Sequence, residues 1–224
     1  MIELTSFKSV EQITENFSRF LNHKLQSKKR ILWLISGGSN LDIEAAIWSR
    51  IPDDLTAKLT IALIDERYGE YDHDNSNMAQ FKNRIDNLKS SNLIEVLQPS
   101  NPTLKTTTLQ YSKNLTDILL DENTYTIGQI GMGTDGHIAG ILPSSPVFDS
   151  NDFIDYYSAK DFQRITLTPI GLSLINHIVL VATDPSKNQL VNQIMNSSST
   201  DVIKFPGLLL RQFEQVSIYN INKQ

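Results

Sequence analysis

The chain of 224 residues contains no cysteine. Disulfides, thiolate nucleophiles and cysteine-held zinc are thereby excluded, and the redox compartment stays open. Histidine is scarce: His23, His73, His137 and His177 are the only four. None stands at paired metal-ligand spacing, so no metal site is expected. No apolar run approaches the length of a membrane span. The opening residues Met-Ile-Glu-Leu-Thr-Ser lack a basic region followed by an apolar one. No secretory signal is therefore expected, and the expected location is the cytoplasm. Positive charge is in deficit, with a formal net charge of −5. Nothing global then attracts nucleic acid or an anionic membrane, and an anionic ligand would need a local basic pocket. Two catalytic signatures are also missing. There is no Gly-x-Ser-x-Gly nucleophile elbow and no phosphate loop ending in Gly-Lys-Ser/Thr.

What is present is alternation. Val10, Ile13, Phe17, Phe20, Leu21 and Leu25 recur at helical spacing behind Ser9-x-x-Gln12, which resembles a capping box. Short apolar runs predict strands at Ile31–Ile35, Leu59–Ile64, Leu93–Leu97, Tyr125–Ile130, Ile178–Ala182 and Val216–Ile221. Further helices are predicted over Leu41–Ile51, Met78–Leu88, Leu104–Leu120 and Pro185–Met195. Repeated strand-loop-helix units imply an α/β fold, a single three-layer domain over residues 1–224 with a mostly parallel sheet.

In such a sheet ligands bind beyond the carboxyl ends of the strands. Three unusual loops are expected there. Gly131-Met-Gly-Thr-Asp-Gly-His-Ile-Ala-Gly140 places Asp135 and His137 in a turn built on Gly131, Gly133 and Gly136. Histidine is suited to moving protons near neutral pH, so this reads as an active-site loop. Its match to a dinucleotide fingerprint is discounted because several strands precede it and Pro143 limits any helix that would follow. Ser36-Gly37-Gly38-Ser39 is either an anion cradle before a helix or a tight turn with Ser39 or Asn40 as N-cap. Asp65-Glu66-Arg67 offers an arginine for phosphate or carboxylate, or else a structural ion pair among neighbours. The polar segment that follows, Tyr68–Asn77, reads as a lid or a surface loop. Arg164 and Lys187 are the last candidates. A lysine near a helix start opposes the helix dipole, so Lys187 is either an anion ligand or an exposed polar-face residue.

The ordered set Ile-Ser-Gly-Gly-Ser, Asp-Glu-Arg with Ser76-Asn77, Gly-Met-Gly-Thr-Asp-Gly-His-Ile-Ala, Arg-Ile-Thr-Leu-Thr and a late lysine resembles the 6-phosphogluconolactonase family over roughly residues 10 to 220. The chain departs from that pattern at Asn40, Gly140 and Asn220. The resemblance implies the fold of the ribose-5-phosphate isomerases and glucosamine-6-phosphate deaminases. It implies hydrolysis of 6-phospho-D-glucono-1,5-lactone in the pentose phosphate pathway without a cofactor. Carried over by motif, His137 is the general base and Asp135 its neighbour. Arg67, Arg164 and Lys187 with the Ser36–Ser39 backbone take the substrate and its phosphate. For such a lactone the N–H groups of Gly131, Gly133 and Gly136 are expected to serve the developing oxyanion. The expected partner is a small sugar phosphate, and the expected state is a monomer or weak homodimer. A deaminase, or a catalytically weak sugar-phosphate-binding module, is the alternative reading.

Overall fold

A computed structural model describes residues 1–85, 92–100 and 103–222. Ten strands and six α-helices are described: β1 (Ile2–Phe7), α1 (Val10–Ser27), β2 (Arg30–Ile35), α2 (Leu41–Trp48), β3 (Leu59–Leu63), β4 (Asp65–Arg67), α3 (Asn77–Lys82), β5 (Asn92–Ile94), α4 (Leu104–Leu119), β6 (Thr124–Ile130), β7 (Ile154–Ser158), β8 (Gln163–Leu167), α5 (Pro169–Leu172), β9 (His177–Ala182), α6 (Asn188–Asn196) and β10 (Val216–Ile221). Seven strands form a sheet in the order β1-β10-β9-β6-β2-β3-β5, with every pairing parallel. The near-continuous apolar runs of β2, β3 and β9 follow from burial on both faces.

Helices cover both faces. Phe17 of α1 packs edge-on against Trp33 and Tyr219. Asn188 of α6 accepts a hydrogen bond from Asn220, the next residue of β10. Successive strand residues point to opposite faces, so α1 and α6 lie on opposite sides. The apolar stripe of α1 buries Ile13, Phe17, Leu21 and Leu25, as its spacing predicts. The Ser9 side chain accepts the Gln12 N–H at 3.3 Å, while Gln12 Oε1 takes the N–H of Lys8, so only half of the predicted capping box forms.

Four strands escape the periodicity. β1 is an edge strand with an irregular, largely exposed pattern. β4, β8 and β7 form a separate antiparallel sheet. Asp65–Arg67, expected as a loop closing β3, is therefore the short strand β4. This small sheet supports the active-site loop. The Tyr157 hydroxyl donates to the Gly140 carbonyl at 2.6 Å, and Thr166 Oγ1 donates to that of Ala139. The strand expected at Leu93–Leu97 forms only as far as Ile94. The helix expected over Met78–Leu88 runs from Asn77 to Lys82, and residues 86–88 lie outside the described residues.

Candidate active site

The carboxyl ends of β2, β3 and β6 converge, with β4 and β8, on a cleft of about 330 Å³. Ser36, Gly37, Gly38 and Ser39 form one wall, Gly131, Gly133 and His137 a second, and Arg67, Arg164 and Lys187 line it as well. Ten of the predicted site residues thus share one space. The other two, Asp135 and Gly136, sit behind His137 in the same turn.

The turn after β6 is tightly self-bonded. Met132 bridges Ile138, Gly133 N–H donates to the His137 carbonyl at 2.9 Å, and Gly136 N–H donates to the Gly133 carbonyl at 3.1 Å. It leads to no helix, so the dinucleotide reading fails on geometry as well as on order. His137 Nδ1 lies 2.6 Å from Asp135 Oδ1, which also accepts the His137 N–H at 3.1 Å. A carboxylate on Nδ1 selects the tautomer with its proton there, leaving Nε2 as an acceptor. Burial works against ionisation of Asp135. The His137 N–H and imidazole outweigh it and hold the carboxyl below its usual range. Gly133 is required by contact: a Cβ there would stand 2.2 Å from His137 Cε1 and Nδ1.

Gly136 was expected among the oxyanion donors, and its position corrects that. Its φ is +82, the Phe205 ring lies where a Cβ would go, and its N–H is spent inside the turn. The Gly133 N–H is spent likewise. Of the three loop glycines, Gly131 alone lines the cleft without donating its N–H inside the turn.

The cations come from separate elements. β4 and β8 pair in a register that sets Arg67 directly opposite Arg164. Like charges facing each other across an antiparallel pair repel, so this position favours a bound anion. Both guanidinium groups lie over the Phe162 ring, at 5.5 and 5.9 Å from its centroid. Arg164 is buried, bonded to Asp161 at 2.7 Å and 3.9 Å from Asp65. Arg67 Nη1 donates to the Asn75 carbonyl at 3.1 Å, which folds the 68–77 segment back onto it. Among the described residues neither Arg67 nor Lys187 forms a salt bridge. The expected alternative of an ion pair within Asp65-Glu-Arg67 does not occur. Glu66 instead accepts the Ser76 hydroxyl and the N–H groups of Asn77 and Met78.

The glycine pair after β2 is more constrained than expected. Ser36 and Gly37 direct their N–H groups inward, to Glu44 Oε1 at 3.0 and 3.4 Å. The backbone donors left to the cleft are those of Gly38 and Ser39. Neither Ser39 nor Asn40 caps α2 through its side chain.

Sequence reasoning did not single out Asp65, Asn77 or Glu44 individually. Asp65 lines the cleft, and burial raises its carboxyl against the opposing charges of Arg164, Arg67 and His137. Asn77 lines it too, its Nδ2 donating to the Asp65 carbonyl at 2.9 Å. Both lie within motifs already noted, Asp65 beside Arg67, which stands out for its charge, and Asn77 in the Ser76-Asn77 pair of the family resemblance. Among the described residues no three His, Asp or Glu side chains are grouped as a metal site would need.

The arrangement brings a histidine–carboxylate pair and three cationic side chains to one cleft. A model of the family described as "Glucosamine-6-phosphate isomerases/6-phosphogluconolactonase" matches residues 5–217. The chain belongs to this family. A relative from Xylella fastidiosa (strain 9a5c) named 6-phosphogluconolactonase is 24% identical over 215 residues, covering 88% of this chain and 84% of that one. A 6-phosphogluconolactonase from Shewanella baltica OS155 superposes with a TM-score of 0.82 at 18% identity, covering 99% of this chain and 98% of that one. A monomeric glucosamine-6-phosphate deaminase superposes with a TM-score of 0.79 at 16% identity, again over 99% and 98%. At such identities the superpositions establish the fold, which both branches of the glucosamine-6-phosphate isomerase/6-phosphogluconolactonase family share.

Proposed function

We propose that the chain hydrolyses 6-phospho-D-glucono-1,5-lactone to 6-phosphogluconate, as a 6-phosphogluconolactonase of the pentose phosphate pathway. The observation that carries this reading is the His137–Asp135 pair, whose imidazole lines one cleft together with Arg67, Arg164 and Lys187. A δ-lactone is an activated ester, so water needs a base and a positioned carbonyl and no covalent nucleophile. Nε2 of His137 takes a proton from water as the water oxygen bonds to C1. The C1–O5 bond then breaks and the proton passes from His137 to O5, and the new carboxylic acid ionises into solvent. Asp135 steadies the imidazolium between these transfers. General-base assistance of this kind contributes roughly a hundred- to ten-thousand-fold. The Gly131 N–H is assigned to the developing oxyanion. The cationic wall with the Gly38 and Ser39 N–H groups takes the phosphate and uses remote binding energy to orient the ring.

Relatives named as lactonases support the lactonase branch, yet the deaminase shares the fold, so the test must separate them. Purified protein should accelerate formation of 6-phosphogluconate above the spontaneous rate and release no ammonia from glucosamine-6-phosphate. Ammonia release without lactone hydrolysis would assign it to the other branch. Binding of 6-phosphogluconate with neither activity would make it a sugar-phosphate-binding module. No helix among the described residues is long and apolar enough to cross a membrane. We assign the chain to the cytoplasm, acting on a small sugar phosphate as a monomer or weak homodimer.

A further inference from the structure

The Ser36–Ser39 turn rests on a carboxyl group that the proposed chemistry does not use. Glu44, in the first turns of α2, is fully buried. Its Oε1 accepts the Ser36 N–H at 3.0 Å, the Gly37 N–H at 3.4 Å and the Ser36 hydroxyl at 3.5 Å. Its Oε2 is buried with no hydrogen-bond partner among the described residues. Oε1 thus sets the orientation of the turn. Because it draws the first two N–H groups inward, those of Gly38 and Ser39 are the ones left for the cleft.

A carboxylate there conflicts with anion binding. Its negative charge would stand immediately behind a wall of the space a phosphate dianion must enter. The conflict disappears if the charge is lost as the anion arrives, and Oε2 can take a proton without disturbing any bond made by Oε1.

We propose that Glu44 is a positioning residue that couples phosphate binding in the cleft to uptake of a proton from solvent. Oε1 holds the Ser36–Gly37 turn in both states, and Oε2 is protonated when a dianion occupies the site. This rests on the cleft being the phosphate site of the proposed reaction. Burial pushes the Glu44 carboxyl up to about 7, against the lowering hydrogen bonds from Ser36 and Gly37. Uptake therefore falls where the enzyme would work. Of the charged groups around it, Asp65 on β4 raises Glu44 further. A bound dianion adds charge of the same sign. Arg67, Arg164, Lys187 and His137 line the cleft and oppose it. α1 and α3 pack on α2; on those sides Glu11 of α1 pairs with Arg50 just after α2, and Asp42 of α2 with Arg84 just after α3, both at the surface.

The experiment is calorimetric titration of 6-phosphogluconate into the wild-type chain at about pH 7.5 in buffers of different ionisation enthalpy, repeated on Glu44→Gln. The wild type should take up a large fraction of one proton per ligand bound. Its dissociation constant should weaken by up to about tenfold per pH unit above pH ~7. The phosphate's own second ionisation, near pH 6, is largely complete there and cannot supply that slope. Glu44→Gln should still bind, since its amide oxygen accepts the same N–H groups, and should lose both the uptake and the slope. Wild-type binding without proton uptake overturns the coupling and leaves the lactonase reading intact. Equal uptake in both chains overturns it as well, by placing the proton elsewhere. Failure of the wild type to bind 6-phosphogluconate overturns the lactonase reading and the coupling with it. Should Glu44→Gln not fold, Glu44→Met, which keeps the buried volume and cannot ionise, takes its place.

Discussion

His137 Nδ1 and Asp135 Oδ1 stand 2.6 Å apart within a single turn, and the imidazole they orient lines the cleft. The pair forms because Gly133 leaves room for the ring and because β7 and β8 hold the loop's far end through Tyr157 and Thr166. A base fixed in this way needs little reorganisation to act on a water.

His137→Ala removes the proton acceptor and no phosphate contact. It should lower kcat for the lactone by at least about a hundredfold. Inhibition by 6-phosphogluconate should change by less than about threefold. Steady-state kinetics with product inhibition checks both. Turnover near that of the wild type would remove His137 from the base role.

Gly133→Ala tests the same pair through packing. The added Cβ would stand 2.2 Å from the His137 ring and 2.6 Å from Asp135 Oδ1. The ring must move, so kcat should fall about as far as in His137→Ala. Gly133 and His137 are half-buried and Asp135 is exposed, so the ring can move toward solvent and the thermal midpoint should shift only by a few degrees. Normal kinetics in a folded variant would show that the ring position does not matter to turnover.

The two arginines differ in burial and so should differ in effect. Arg67→Ala and Lys187→Ala remove charge-assisted contacts worth roughly 1.5–3 kcal/mol each, about tenfold to a hundredfold in the inhibition constant of 6-phosphogluconate. Neither should much affect unphosphorylated gluconolactone. Arg164→Ala additionally leaves Asp65 buried without its nearest cation, and should cost roughly 1–3 kcal/mol of stability in denaturant melts. Equal losses for phosphorylated and unphosphorylated ligands would assign Arg67 and Lys187 to the fold or the chemistry.

Glu44 makes stability depend on pH in a defined direction. Its carboxyl is raised from the usual 4.5 to about 7 in the folded chain. Between those values the folded chain holds the proton and the unfolded chain has lost it. Its contribution is therefore complete below about 4.5 and disappears as pH rises through about 7. The loss is on the order of 3 kcal/mol. Glu44→Gln cannot ionise, so its stability relative to the wild type should rise across that window. Parallel curves in denaturant melts at several pH values would refute the shift.

How far the sequence reveals this site depends on burial. β2, β3 and β9 are legible because strands covered on both faces must be continuously apolar. The small sheet of β4, β8 and β7 is not, because its strands are short and polar and serve a cleft. Asp65–Arg67 therefore reads as a loop. Its facing of Arg67 with Arg164 comes from a register that no local pattern encodes. The glycines announce the His137 turn, but not which N–H groups that turn consumes. Glu44 gives no signal, since a glutamate early in a helix reads as a surface complement to the dipole. Only the folding of Ser36–Gly37 over it makes it an interior group.

The central claim is that this cleft hydrolyses a phosphorylated lactone with His137 as base. Its most direct test is the initial rate of 6-phosphogluconate formation from freshly prepared 6-phospho-D-glucono-1,5-lactone, with wild type and His137→Ala measured against the spontaneous reaction. Wild-type acceleration, cut at least about a hundredfold in the variant, is the predicted result. A wild-type rate equal to the spontaneous one would contradict the claim.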